Sequence, residues 1–512
     1  MRAGHIIFMG VLVIAGAAVR ILGITHPLMW HGDRMVFALM ARHIAAGTEF
    51  PLYLWLCHYG GALSSYVGAL FFKAFGASYL TYGLVGIFFS CLWVFFSFRI
   101  ARRLFDNGVG LYASMLLILV PPFNVLFFSL FAAMHAEILA FGSLLVLLMV
   151  RWDHEGSGKR RGLYPLLGFF SGVGLWISPA LAPFLLTAIT VFLINDRKEF
   201  FRKGLIFFVG GFLIGYLPAL IYNIQYPGAS LFRMAGRLLD LDRSVLSSPD
   251  MNRIIAEKVI WRISTIPISA LRAPHLLSSL IGTLNAALFF IGLIWVLKKE
   301  YTAGIKNNRI GPFGILALYI MWFFVFYSVL VGVDRSRYML PLYVVAPFFI
   351  GALLADAGKR QKAVPAVLLA AIALFNLSDI GYSFSEKTGP DYARLMRWLE
   401  KNNVRYGYSD YDTAYCVTFA SNEKILVSPT VFDDKAFSER YPAYTKKVRE
   451  TGSAVYIIQT GRFPEYVPMI HKRLKELGVR FKKDIVDGFI VYHGLSRNVY
   501  PEELGMPIPS PR

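Results

Sequence analysis

The chain has 512 residues, of which 56% are hydrophobic and only 16% charged, with a formal net charge of +20. A water-soluble protein of this length covers its core with a far more charged surface, so the balance excludes an ordinary soluble globular protein and points to lipid around most of the chain. The excess of positive charge does not signal nucleic acid: Lys and Arg sit in short loops between apolar runs, and no basic helix or aromatic–basic platform is present.

In chain order, the first segment, MRAGHIIFMGVLVIAGAAVRILG, joins a basic start to an apolar centre and reads as an uncleaved signal-anchor, given the spans that follow. Apolar runs at 5–25, 79–98, 109–128, 130–150, 163–178, 180–194, 204–222, 279–297, 310–332, 338–355 and 363–381 predict about eleven transmembrane helices. Prolines inside some of them, such as Pro179, Pro183 and Pro218, are tolerated where neighbouring groups re-satisfy the freed carbonyl. The loops beginning at Arg99, Arg151, Asn195, Lys298 and Asp356 are all rich in Lys and Arg, which sets them and the N-terminus on the cytoplasmic side. An odd number of spans then puts the C-terminal domain outside, together with residues 26–78, residues 223–278 and the short loop at 332–338. The predicted organisation is a membrane domain over 1–385, with an extracytoplasmic loop at 26–78, and a soluble domain over 386–512. The protein is expected in the cell membrane as a multi-pass chain.

Within the first outer loop, HGDRMVFALMARHIAAG reads as an amphipathic helix with Met35, Leu39 and Ile44 near one face. GGALSSYVGALFFKAFG is apolar but short for a span and reads as lying along the membrane or re-entering it. After residue 386 the composition shifts. DYARLMRWLEKNN is helical up to Asn402–Asn403, RYGYSD, KILVSP, SAVYIIQT and DGFIVYHG read as short strands, and HKRLKELG is a helix closed by Gly478. This alternation predicts a small α/β domain. No glycine-rich phosphate loop is present, which argues against an ATP-driven pump. Cys57, Cys91 and Cys416 lack metal or redox spacing; Cys91 reads as a small buried residue within a span, and a Cys57–Cys416 disulfide is weakly motivated.

Ionisable groups near lipid are the candidates for chemistry, because dehydrating them is costly without a partner. Asp33, in HGDR at the membrane–water boundary, reads either as a general base for an attacking hydroxyl or as a helix cap with Arg34 as adjacent counter-charge. Glu137, near the outer end of an apolar run, reads as a partner of His135, a metal ligand, a sugar contact or half of a structural ion pair. Arg335 and Arg337 present guanidinium forks suited to phosphate, or else anchor the chain at the interface beside Asp334 and Tyr338. His58 and Tyr59, in LCHYGG, read as contacts for polar substrate groups or as satisfied loop side chains.

These segments together resemble the GT-C type membrane glycosyltransferases, in particular the bacterial relatives of protein O-mannosyltransferases (glycosyltransferase family 39) and of the lipid A aminoarabinose transferase. GDRMVFALMARHIAAGTEFPLYLWLCHYGGALSSYVGALFFKAFG is similar to the family's first catalytic loop, and PPFNVLFFSLFAAMHAEILAFGSLLVLL to the next membrane segment with its embedded glutamate. GVGLWISPALAPFLL, GYLPALIYNIQYPG, RYMLPLYVVAP and YGYSDYDTAYCVTFASNEKILVSP resemble later segments. The resemblance implies a sugar donor linked to polyprenyl phosphate, inversion at the anomeric carbon, and a lipid, glycan or protein acceptor. It implies Asp33 as the base, Glu137 as a site acid, and Arg335 and Arg337 as phosphate contacts; His58 and Tyr59 remain candidate substrate contacts. No cofactor is expected, with a divalent metal left open but not indicated. Where such enzymes often place a second acid after the loop Asp, and another in the GG-x-L-E region, this chain has Arg34 and Ser64, which weighs against a metal site. The alternatives are a transporter or flippase of lipid-linked sugars, for which no internal repeat is visible, and a non-catalytic polyprenyl-lipid-binding assembly subunit.

Overall fold

The computed structural model describes residues 17–105, 107–118, 123–155, 157–230, 290–295, 297–298, 309–330, 336–361, 363–386, 390–430 and 439–506. Residues 5–16 of the predicted first span, most of the predicted span 279–297 and most of the outer segment 223–278 lie outside them. Two compact units are present: Met1–Gly23 with Tyr59–Gly61 and Val85–Ser383, and Ile24–His58 with Ala62–Leu84 and Phe384–Arg512.

The first unit is helical. Among the described residues, the helices Tyr79–Leu104, His135–His154, Leu340–Arg360 and Ala363–Tyr382 are long and apolar enough to cross a membrane. Pro179–Asn195 and Arg197–Gly215 form a pair bent by 110° that passes the same test as one span. Large apolar side chains such as Phe95, Ile206, Leu217 and Leu374 face outward, as expected of helices solvated by lipid. Cys91, expected to be buried, is exposed on this surface.

Helix Ser157–Ile177 lies against helix Leu205–Gly215 through two facing small-residue stripes. A Cβ at Gly168 or Gly172 would sit 2.0 Å from the Phe208 carbonyl oxygen or 2.3 Å from that of Phe212. One at Gly211 or Gly215 would sit 2.1 Å or 2.0 Å from the carbonyl oxygens of Pro165 and Phe169. With little hydrophobic drive between helices in lipid, such backbone approach supplies the packing. Around the buried helix His135–His154, Trp152, Tyr164 and Phe192 meet edge to face, and Phe184 stacks on Tyr319 at 4.2 Å.

The second unit combines the first loop with the C-terminal region. Its elements are α1 (Gly32–Ala46), α2 (Leu63–Phe75), α3 (Tyr392–Lys401), β1 (Tyr406–Ser409), α4 (Tyr411–Ala420), β2 (Leu426–Pro429), α5 (Pro442–Glu450), β3 (Val455–Gln459), α6 (Tyr466–Glu476), β4 (Lys482–Val486) and β5 (Phe489–His493). The start of helix Tyr79–Leu104 also belongs to it. The sheet order is β2-β1-β3-β5-β4; β1 runs parallel to β2 and β3, while β5 is antiparallel to β3 and β4. The four predicted strands are β1, β2, β3 and β5; β4 is an additional edge strand.

The reading of α1 as an amphipathic helix does not hold. Ten of its fifteen residues are buried, on every side, because α2 covers one flank and α4 another. Ser65 Oγ donates to the Phe37 carbonyl at 2.8 Å, and Phe72 packs on both Tyr82 and Phe419. Cys57 and Cys416 are separate buried thiols.

Candidate active site at Asp33

The site grows from the end of β1. Ser409 Oγ donates to the Ile457 carbonyl at 2.7 Å, tying β1 to β3. Asp410 then caps α4: its Oδ1 accepts from the backbone N–H of Asp412 at 3.0 Å and of Thr413 at 3.2 Å. The strand order makes this the switch point of the sheet, since β2 and β3 lie on opposite sides of β1. In open α/β sheets the crevice beyond the strand ends at such a point is where ligands are held. Here it holds the N-terminus of α1.

Gly32 N–H donates to Asp412 Oδ1 at 2.6 Å, and a Cβ on Gly32 would lie 2.6 Å from the Tyr411 ring, so only glycine fits. Asp412 is also paired with Arg462, which follows β3, and lies 3.6 Å from His31. Burial opposes ionisation of Asp412, but His31 and Arg462 outweigh it and hold the carboxyl below its usual range.

Asp33 does not cap α1. His31 is the cap, its Nδ1 accepting from Asp33 N–H at 3.2 Å, which leaves the Asp33 carboxylate for another partner. That partner is Tyr411, whose hydroxyl donates to Oδ1 at 2.8 Å. Burial and the charge of Asp33 push the Tyr411 phenol well above its ordinary value, so it stays a donor. Arg440 Nε donates to the same hydroxyl at 3.1 Å, Arg440 N–H donates to Tyr415 at 2.7 Å, and Arg440 Nη1 reaches Cys57 Sγ at 2.6 Å. Asp33 itself is half-buried, with Tyr411 buried behind it.

Arg34 is not the expected counter-charge. It is fully buried, donates to the Met29 carbonyl at 3.0 Å and lies over the Tyr79 ring at 4.8 Å. Ser64 is likewise buried. Among the described residues no three His, Cys, Asp or Glu side chains gather as a metal site requires.

Glu137 belongs to the first unit, where it is buried in the first turn of helix His135–His154 behind Met134, a residue in left-handed conformation with φ 77°. His135, beside it in sequence, packs on Phe128 and Phe131. His58 and Tyr59 are half-buried after the turn at Leu54–Cys57, His58 in the second unit and Tyr59 in the first. Arg335 lies outside the described residues, and Arg337 is described only as part of the 3-10 turn Ser336–Val344.

At the other end of α1 a second polar cluster joins the loop to the sheet domain. His43 Nε2 lies 2.7 Å from Glu423, its Nδ1 lies 3.3 Å from Glu49, and Tyr444 and Tyr441 donate to Glu423 and Glu49 respectively. Arg42 donates to the Phe419 carbonyl at 3.0 Å and to Asn422 at 2.9 Å. Tyr411, Asp412, Arg440 and this cluster were not singled out from the sequence.

The chain carries the GT-C type membrane glycosyltransferase fold, as its resemblance implied. Residues 61–222 match the family model of dolichyl-phosphate-mannose-protein mannosyltransferases. Among solved structures, ArnT from Cupriavidus metallidurans in the apo state is similar with a TM-score of 0.65 at 13% identity, covering 96% of this chain and 98% of that one. The same protein bound to undecaprenyl phosphate gives 0.64 at 12% identity over 97% and 99%. The archaeal oligosaccharyltransferase AglB from Archaeoglobus fulgidus, in complex with an inhibitory peptide and a dolichol-phosphate, gives 0.52 at 13% identity over 97% and 74%. No curated protein matches the chain in sequence.

Proposed function

We propose that the chain is an inverting glycosyltransferase that moves a hexose or pentose from a polyprenyl-phosphate carrier to a lipid, glycan or protein acceptor at the outer face of the cytoplasmic membrane. The observation that carries the reading is the half-exposed Asp33 carboxylate, oriented by a buried tyrosine, in a chain with the GT-C fold. Asp33 takes the proton of an acceptor hydroxyl as its oxygen attacks the anomeric carbon. The bond from that carbon to the carrier phosphate breaks, and the polyprenyl phosphate leaves with the electron pair. Because the leaving group is an anion of low basicity, cations that stabilise its charge substitute for much of a general acid. Arg335 and Arg337 are the candidates for that stabilisation, and Glu137, His58 and Tyr59 for contacts to the sugar or acceptor. The five basic loops support an arrangement with Asp33, Glu137, the Arg335–Arg337 pair and the domain over 386–512 on the outer side. That two similar structures hold undecaprenyl phosphate and a dolichol-phosphate supports a polyprenyl carrier.

The test is a screen of the purified protein against undecaprenyl-phosphate-linked mannose, glucose, galactose and aminoarabinose, reading release of undecaprenyl phosphate. Turnover of one donor supports the reading; binding without turnover of any of them supports an assembly subunit instead.

A further inference from the structure

The sheet domain reaches the proposed base directly through Tyr411. We infer that Tyr411, backed by Arg440, is a positioning residue for the transfer: its hydrogen bond to Asp33 Oδ1 fixes the carboxylate and leaves Oδ2 to receive the acceptor proton. The inference rests on the reading of Asp33 as the base.

Four features of the geometry carry it. Among the described residues Tyr411 supplies the hydrogen bond to Oδ1, at 2.8 Å, and Oδ2 accepts none from the protein. A donor to one oxygen removes the carboxylate's freedom to rotate, so the lone pairs of the other point in one direction. The tyrosine has a single place to be: it opens α4 directly after the Asp410 cap, its ring lies under Gly32, and it is buried. Its hydroxyl accepts from Arg440 at 3.1 Å, so its one proton is committed to Asp33. Arg440 thereby places a positive charge one hydroxyl removed from the carboxylate without pairing with it. A direct ion pair would occupy the carboxylate and blunt it as a base; the intervening phenol polarises it and leaves one oxygen open.

A purely structural reading makes the hydroxyl a tether between α1 and α4. That tether already exists in the bond from Gly32 N–H to Asp412, which does not involve the Tyr411 hydroxyl. The two roles therefore separate in kinetics.

The experiment compares Tyr411→Phe, Arg440→Gln, Arg440→Lys, Asp33→Asn and Tyr456→Phe in the full-length protein, with the donor that the wild type turns over in the four-sugar screen. Tyr456→Phe is the control, since it removes another buried tyrosine hydrogen bond of the same domain, to the Val499 carbonyl at 2.7 Å. Tyr411→Phe is expected to lower kcat by about 10–100-fold with the donor KM within about twofold, the pattern of an interaction used in the transition state. Arg440→Gln lowers kcat by less, again with the donor KM held, Arg440→Lys restores most of the rate, and Tyr456→Phe leaves it unchanged. If Asp33→Asn is inactive while Tyr411→Phe and Arg440→Gln keep the wild-type kcat, the inference is overturned and the base reading stands. Should Tyr411→Phe fail to fold, the kcat of Arg440→Gln, with its rescue by Arg440→Lys, decides alone. If Asp33→Asn turns over at the wild-type rate, the base reading fails and takes this inference with it.

Discussion

Replacing Gly32 by Ala puts a methyl group where the Tyr411 ring already lies. The added carbon would sit 2.6 Å from ring atoms Cδ1 and Cε1 and 2.8 Å from Asp412 Oδ1. Carbon atoms pack at roughly 3.5–4.0 Å, so the ring or the helix start must move by about 1 Å. Neither moves freely, since Tyr411 is enclosed and Gly32 N–H is bonded to Asp412 at 2.6 Å. Overpacking of this kind costs about 1–3 kcal/mol, and losing a hydrogen bond to a charged acceptor about 1.5–3 kcal/mol more. The better helix propensity of Ala returns about 0.5–1 kcal/mol. The net loss is about 2–5 kcal/mol, and turnover falls with it because the displaced element carries Asp33. Thermal unfolding of the detergent-solubilised protein measures this, with Gly461→Ala as comparison, where an added Cβ meets nothing within 4 Å. Equal stability of the two variants refutes the claim that α1 docks in the crevice at the end of β1.

Three further outcomes follow from the packing and charge. Gly211→Ala, whose Cβ would strike the Pro165 carbonyl oxygen at 2.1 Å, lowers thermal stability sharply, whereas Gly210→Ala, with nothing within 4 Å, leaves the melting curve in place. Asp410→Ala removes the cap of α4 and costs about 0.5–2 kcal/mol, read by chemical denaturation. Burial opposes the charge of His43 and of Glu423, but Glu423 and Glu49 outweigh it to raise the imidazole, and His43 and Tyr444 outweigh it to lower the Glu423 carboxyl. The histidine's contribution to stability is full below its unfolded value and fades as pH rises through its raised folded value. The glutamate's contribution is full above its unfolded value and fades as pH falls through its lowered one. Glu423→Gln therefore destabilises the protein by about 1–2 kcal/mol more at pH near 6 than at pH near 9, measured by melting at both.

Much of this was legible where one periodicity dominates. Long apolar runs announced the helices of the first unit, and short apolar runs between turn residues announced β1, β2, β3 and β5. The edge strand β4 escaped because it opens with Lys482 and Lys483, the charged residues that protect an edge and dilute the strand pattern. Helix α4 escaped because eight of its ten residues are buried, so it shows no polar face and no helical period. Burial on all sides likewise defeated the amphipathic reading of α1. Arg34 looked like a counter-charge only through adjacency. Neighbours on a helix point roughly 100° apart, and Arg34 turns inward to a carbonyl and an aromatic ring. Asp33 stood out as a carboxylate at a boundary, but its partner Tyr411 lies 378 residues away, a distance across which no local pattern carries information.

The central claim is that Asp33 is the base of a glycosyl transfer, and substituting it by asparagine tests this most directly. Asp33→Asn keeps a carbonyl oxygen to accept from Tyr411 and removes the capacity to take a proton, so the fold is expected to survive. Transfer from the undecaprenyl-phosphate sugar that the wild type uses should fall by at least about 1000-fold, with melting temperature and binding of undecaprenyl phosphate unchanged. Transfer at the wild-type rate by the folded variant would contradict the account.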